Sequence, residues 1–273
     1  MDDHSVTVYC LCADLLVALH HRDDPQCYLT DAEIMTIALV AALFFGGNYV
    51  LACAFLHEQR YIRHALSRSR FSRRVHRIKD LFVTLFAVLG DHWKAVNPQS
   101  VYVLDSFPVA TCDNIRISRS RRYQGEAYRG YIPSKRRYFY GLRVHLVVTA
   151  TGQPVEFFLL PGTDNDTGAL HWYQFDLPAG ARVVGDKAFT VYGIEDDLAS
   201  VGIQLCPLRK QNSKRPIPPW ETYLRELDRK VIETTNSLVT RRFPKAIHAV
   251  SAIGFELKVV LFLLTHSIDG LVR

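Results

Sequence analysis

Apolar positions recur at helical spacing through the first hundred residues and crowd into short strand-like runs after them. Residues 14–20 read as a short apolar helical stretch. Residues 34–45 and 49–57 follow as two more helices, parted by Gly46-Gly47-Asn48, which is a turn signal. Just before them, Thr30-Asp31-Ala32-Glu33 is a capping box: Thr30 can cap the helix while Glu33 reaches back to its amide. Leu81, Phe82, Leu85, Phe86 and Leu89 repeat with the period of a further helix, which Gly90 is expected to end.

Beyond Pro98 and Ser100 the texture changes. Residues 101–104 and 138–149 are rich in β-branched and aromatic side chains and read as buried strands. A turn at 150–153 leads to a third strand at 155–160, making a hairpin. A helix at 167–175, a strand at 181–184, a short helix at 193–200 and a strand at 203–206 come next. Pro216, Pro218 and Pro219 interrupt the chain before a long helix at 221–242, whose Leu224, Leu227, Val231 and Leu238 line one face expected to pack on the sheet. A hairpin followed by alternating strands and helices predicts an α/β fold, a mixed sheet flanked by helices. The change of texture predicts a helical, helix-turn-helix-like domain at 1–98 and a catalytic domain at 99–273.

Composition narrows the class. Of 273 residues, 48% are hydrophobic and 22% charged, enough to bury a real core and too ordinary for a disordered or collagen-like chain. The apolar stretch 34–56 is long enough to span a bilayer, but its central glycine turn favours two core helices, and no membrane association is expected. The six cysteines form no C-x-x-C pair. Cys10, Cys12 and Cys27 with His20 and His21 match no zinc spacing, so reduced thiols and a cytoplasmic protein, nucleoid-associated when bound to DNA, are expected.

The net charge of +6 permits a polyanionic partner, and its distribution says more. Twenty-one of the 33 basic residues fall in three segments. The first, 60–79, includes Arg68, Arg70, Arg73 and Arg74. The second, 116–143, includes Arg121, Arg122, Arg136 and Arg137, interleaved with Tyr123, Tyr128, Tyr131 and Tyr138. The third includes Arg209 and Lys210. Such density suits a phosphate backbone, and tyrosines among arginines suit stacking on splayed bases. Trp220 is expected to pack on the helix that follows it, a wedge against a flipped base being the alternative.

Three acids stand out by position. Asp105 follows the strand at 101–104, Asp186 follows 181–185, and Glu233 lies in the long helix on a stripe with Arg225, Arg229 and Asn236. Carboxylates at strand ends sit where α/β sheets build ligand sites. Three that converge need a cation, and hard oxygen donors suit magnesium or manganese. Two such ions can activate a water or a 3′-hydroxyl and stabilise a leaving oxygen. Asp113, Asp164 and Asp166 are competing acids. Residues 163–167 read better as a helix start, where acids favour the dipole.

These segments together resemble DDE-type insertion-sequence transposases with an RNase H-like fold, and among them the insertion-sequence family numbered nine-eighty-two. The resemblance rests on Leu29-Thr30-Asp31-Ala32-Glu33-Ile34, Phe45-Gly46-Gly47-Asn48-Tyr49 and the arginine segment from Leu66 to Arg74. In the second half it rests on Leu104-Asp105-Ser106-Phe107-Pro108-Val109, Gly185-Asp186-Lys187-Ala188-Phe189 and Arg229-Lys230-Val231-Ile232-Glu233-Thr234. It implies that Asp105, Asp186 and Glu233 are a catalytic and metal-binding triad holding two Mg2+ ions, with Mn2+ able to substitute. It also implies double-stranded DNA, the terminal inverted repeats and a target, as the partner of a homodimer, with Arg229 on phosphate. Related transposases carry a tyrosine and a lysine around the final glutamate; here those positions hold Glu226 and Thr240, with Tyr223 and Arg241 nearby. The competing readings are a DNA-binding repressor that has lost the chemistry, an RNase H-like nuclease, and a metal-independent recombinase.

Overall fold

A computed structural model describes residues 1–272, apart from the side chains of residues 2, 114 and 134. The chain forms two compact units, Met1–Leu89 with Val239–Arg273, and Gly90–Leu238. This corrects the expected division at residue 98: the end of the chain belongs with the helical beginning, not with the sheet. No local signal reveals that, because it depends on where the last helix finds an apolar surface to cover.

The first unit is helical. Its helices are α1 (Asp2–Ala18), α2 (Asp31–Phe44), α3 (Tyr49–Glu58), α4 (Arg68–Arg77) and the first part of α5 (Lys79–Ala95). The capping box forms as expected, with Glu33 N donating to Thr30 Oγ1 at 3.2 Å and Thr30 N donating to Glu33 Oε2 at 2.7 Å. Gly46 and Gly47, both at positive φ, turn the chain between α2 and α3. The two helices bend there by 109°, and among the described residues no single helix is long and apolar enough to cross a membrane. Arginine-rich α4 is amphipathic: Phe71 and Val75 are buried while Arg68, Arg70 and Arg73 face outward.

The second unit is built on one sheet. Its strands are β1 (Val101–Cys112), β2 (Arg129–Ile132), β3 (Arg137–Thr149), β4 (Pro154–Pro161), β5 (Arg182–Gly185) and β6 (Gln204–Pro207). The main order is β4-β3-β1-β5-β6, with β2 continuing beside the start of β3. The β4-β3-β1 part is antiparallel and the β1-β5-β6 part parallel. The short helix α6 (Asp166–Ala169) and the residues after it close a core of Tyr102, Leu104, Val147, Tyr173 and Phe175. Helix α7 (Tyr192–Ser200) joins β5 to β6, and α8 (Pro219–Arg242) follows. The mixed sheet flanked by helices is the α/β architecture that the alternation predicts, and with the helical N-terminal region it is the RNase H-like arrangement that the resemblance implies.

Several local expectations are corrected by packing. Helix α5 runs through Gly90, whose missing side chain lets the backbone approach β4: an added Cβ would lie 2.8 Å from the Val155 carbonyl. The expected helix at 167–175 is a single turn, continued by a 3-10 turn at Leu170–Trp172. Besides α4, which the sequence marks only by its arginines, β2 and α9 (Ala252–Val272) went unread. The first is too short to show a period. The second carries a plain apolar run whose Phe255, Val259, Phe262 and Leu263 are fully buried.

The most consequential correction concerns α8. Leu224, Leu227 and Leu238 are 47%, 38% and 37% exposed, so the leucine stripe does not pack on the sheet. The buried side instead carries Arg225, Ile232, Thr235 and Asn236. Three polar contacts hold it there: Arg225 Nη1 to the Pro207 carbonyl at 2.7 Å, Thr235 Oγ1 to the Gly152 carbonyl at 3.2 Å, and Asn236 Nδ2 to Asp105 Oδ2 at 3.1 Å. Buried groups of this kind tolerate no loss of a partner, so they fix the helix's rotation against the pull of the leucines. Trp220 is likewise 65% exposed at the start of α8 rather than packed along it.

Candidate active site

The acids that the sequence singles out meet on the second unit. Asp105 sits in β1 at the point where α8 crosses, held by Asn236. Asp186 ends β5 and accepts a 2.6 Å hydrogen bond from the Lys187 amide, capping the short turn that follows. Asp166, in the first turn of α6, accepts 2.6 Å from Ser106 Oγ, and Ser106 also takes 3.3 Å from Arg143 Nη1. The helix start read at 163–167 is therefore real, with Asn165 as its cap, and it also delivers a carboxylate to the site. Sixty residues separate Ser106 from Asp166, so no spacing rule could reveal their contact.

Electrostatics tie the group together. Burial is the main reason that Asp105 is pushed up to about 6, and the negative charges of Asp166 and Asp186 raise it further. The Ser106 amide and the Arg229 guanidinium act in the opposite direction. Arg229 reaches 3.7 Å from Asp186 Oδ1 and 3.3 Å from Glu233 Oε1. It thus links the strand-end acid to the helix acid. Glu233 is the outlier: its carboxylate is 59% exposed and turned to Arg229. Among the described residues, these acids do not bring three ligand atoms within 4.8 Å of one another.

The donor set nonetheless fits a divalent cation. Asp105, Asp166 and Asp186 are hard oxygen donors; burial first, and then the charges of the other two, raise Asp105, while the Ser106 amide and Arg229 offset this only in part. A tighter cluster, His21, Asp23 and Asp31, lies in the helical unit. Its charge is already met: Asp31 is held by Arg74 at 2.5 Å and by His21 at 2.8 Å, and Asp23 accepts from the Asp31 amide at 2.7 Å. Among the described residues, the cysteines and histidines considered from the sequence do not gather into a group of three ligand atoms.

The basic residues expected on DNA divide in two. Arg68, Arg70, Arg73, Arg121, Arg136, Arg137 and Lys210 are exposed. Three others are bound up within the fold, which corrects their reading as phosphate contacts. Arg74 clamps Asp31 and the Leu29 carbonyl; Arg122 donates to the Thr111 carbonyl; Arg209 forms a two-pronged pair with Glu195 at 2.7 Å and 2.7 Å, nearly fully buried. A guanidinium in water and one in a buried pair look identical in sequence.

Residues 95–246, more than half of the chain and including all four acids, match the family described as Transposase DDE domain. The chain is a DDE transposase. Among solved structures, it resembles the piggyBac transposase in a cryo-EM synaptic complex with hairpin DNA, with a TM-score of 0.51 over 98% of this chain and 72% of that one. At 10% identity that likeness speaks for the fold. No curated protein matches the sequence. Membership places this DDE transposase among DNA-cutting and DNA-joining enzymes, and it implies the use of a divalent metal.

Proposed function

We propose that this DDE transposase binds the terminal inverted repeats of an insertion sequence, cleaves DNA at the element ends and joins the 3′-hydroxyl ends to target DNA. The observation that carries the reading is the convergence of Asp105, within β1, and Asp186, just past the end of the neighbouring β5, with Arg229 of α8 beside Asp186 and its charge acting on Asp105. The segments around Asp105, Asp186 and Glu233 favour the family numbered nine-eighty-two as its narrower kin. Double-stranded DNA is the partner, two ends held together call for a homodimer, and the setting is the cytoplasm and nucleoid.

In this reading Asp105 and Asp186 hold the metal ions, Mg2+ by preference, with Glu233 completing the second position after leaving Arg229. Bound there, the ions supply an activated water or 3′-hydroxyl and stabilise the leaving oxygen of the phosphodiester. Asn236 fixes the Asp105 carboxylate through its 3.1 Å hydrogen bond, so the ligand is oriented before any ion arrives. Arg229, freed as Glu233 moves, contacts a phosphate oxygen near the scissile bond. The exposed arginines of α4 and of the 116–137 segment hold the backbone of the duplex.

The test is cleavage of a labelled duplex bearing the element's ends, in Mg2+, Mn2+ or EDTA, by the parent and by Asp186→Ala. Metal-dependent nicking at the element boundary by the parent, absent in the variant although the variant still binds the duplex, is the expected result. Specific binding without nicking in any metal would establish a repressor instead. Cleavage that persists in EDTA would overturn the assignment of the acids.

A further inference from the structure

The tyrosines of the basic segment do not share one fate. Tyr123 and Tyr140 are 6% and 3% exposed, and Tyr140 Oη donates to the Tyr123 and Gly125 carbonyls, so both serve the interior. Tyr131 and Tyr138 stand outside at 43% and 52%. They are direct cross-strand partners on the β2–β3 hairpin, their ring centroids 5.0 Å apart and tilted by 52°. Arg129, on the same face of β2, places its guanidinium carbon 5.3 Å from the centre of the Tyr138 ring. The two rings and the guanidinium therefore form one exposed patch of aromatic faces and positive charge.

The surroundings select the ligand. Lys135, Arg136 and Arg137 are all exposed where the hairpin turns. Arg136 adopts a left-handed backbone, φ 47°, where glycine or asparagine fits without strain, so the turn presents a guanidinium at conformational cost. Gly130 keeps the hairpin in place: a Cβ there would lie 2.2 Å from the Gly162 carbonyl. Aromatic faces interleaved with cations at this spacing match a nucleotide strand, which repeats one base face and one phosphate per residue. The bases of an intact duplex are hidden in their own stack, so only unpaired bases can reach such rings.

We infer that the β2–β3 hairpin is a binding site for unpaired bases of DNA, with Tyr131 and Tyr138 as stacking partners and Arg129, Arg136 and Arg137 on the adjoining phosphates. The inference rests on the DNA-processing function proposed above and adds to it a single-stranded substrate feature. Strand β3 also sets its distance from the chemistry. Tyr138 lies eight residues along the strand from Leu146, the cross-strand partner of Asp105, a span of roughly 27 Å. The strand that occupies the hairpin is thus held about eight base steps from the reacting phosphate if duplex lies between.

The experiment compares binding of fluorescein-labelled (dT)15 and a blunt 15-base-pair duplex by the parent, Tyr131→Ala, Tyr138→Ala, Tyr138→Leu and Tyr138→Phe, each checked by thermal melting. The parent should bind both DNAs. Each alanine variant and Tyr138→Leu, which keeps apolar packing but lacks a ring, should weaken (dT)15 binding about fivefold or more and leave duplex binding within twofold. Tyr138→Phe should bind like the parent. Equal losses on both DNAs, or none on either, would show that the pair only holds the hairpin together and would overturn the inference. A parent that binds duplex but not (dT)15 overturns it while sparing the proposed function. A parent that binds neither DNA overturns the inference, and the cleavage test on the element's ends decides the proposed function separately.

Discussion

Asp105→Asn is expected to abolish strand cleavage and yet to make the metal-free protein more stable. The native carboxylate is held up at about 6 by burial and by Asp166 and Asp186, whereas in an unfolded chain it ionises near the ordinary 3.8. Below about pH 3.8 both states carry the proton and Asp105 costs the fold nothing. As pH rises through 3.8 to 6, the unfolded chain releases its proton first, so native stability falls; above about 6 the whole cost is present. Its size is on the order of 2–3 kcal/mol. Asparagine removes that charge and still offers an oxygen to Asn236. Thermal melting in EDTA should therefore show the variant several degrees above the parent at pH 7.5, with the gap closing towards pH 4. Adding a divalent ion should raise the melting temperature of the parent and leave the variant nearly unmoved, because ion binding stabilises only a state that binds it. A variant that melts lower than the parent in EDTA at pH 7.5 would show that the Asp105 charge is satisfied by the protein alone.

Arg73→Ala and Arg74→Ala, one residue apart, should fail in different ways. Arg74 and Asp31 leave only 12% and 9% of their side chains exposed, and the guanidinium also satisfies the Leu29 carbonyl. Removing it leaves the buried Asp31 carboxylate with His21 but without its guanidinium, at a cost of about 2–4 kcal/mol. Urea or thermal unfolding should show that loss in the absence of any DNA. Arg73 faces solvent on α4, where its replacement should change stability by less than about 0.5 kcal/mol. Its effect should appear in binding of element ends, several-fold weaker and with a shallower dependence on salt, since one fewer phosphate is neutralised. An Arg73 variant that binds element ends normally would remove α4 from the DNA interface. An Arg74 variant of unchanged stability would return that residue to the surface.

The site shows the same split between what neighbours in sequence decide and what distant partners decide. Asp105 and Asp186 are legible because a carboxylate directly after a short β-branched run is a local event, and the runs at 101–104 and 181–184 are plain. Asp166 was legible as one of three competing acids, and better as part of a helix start. Its approach to Asp105 depends on how α6 lands on the sheet, and that landing is fixed by the Ser106 hydrogen bond. Glu233 was read on one stripe of α8 with Arg225, Arg229 and Asn236; in the structure Asn236 is buried against Asp105, while the exposed Glu233 carboxylate turns to Arg229.

By itself the sequence determined the features that act over a few residues: the Thr30–Glu33 cap, the Gly46-Gly47 turn, many of the helical and strand periods, the acids that follow short β-branched runs and the density of arginine at 60–79. Those depend on backbone preference and on side chains one turn or one pleat apart. The tertiary structure alone decided which arginines remain free for phosphate, which side of α8 faces the sheet, which unit α9 completes and which tyrosines reach solvent. Each of these outcomes turns on a partner far away along the chain, Arg74 on Asp31 and Asn236 on Asp105, where burying an unpaired polar group costs more than any local preference can return.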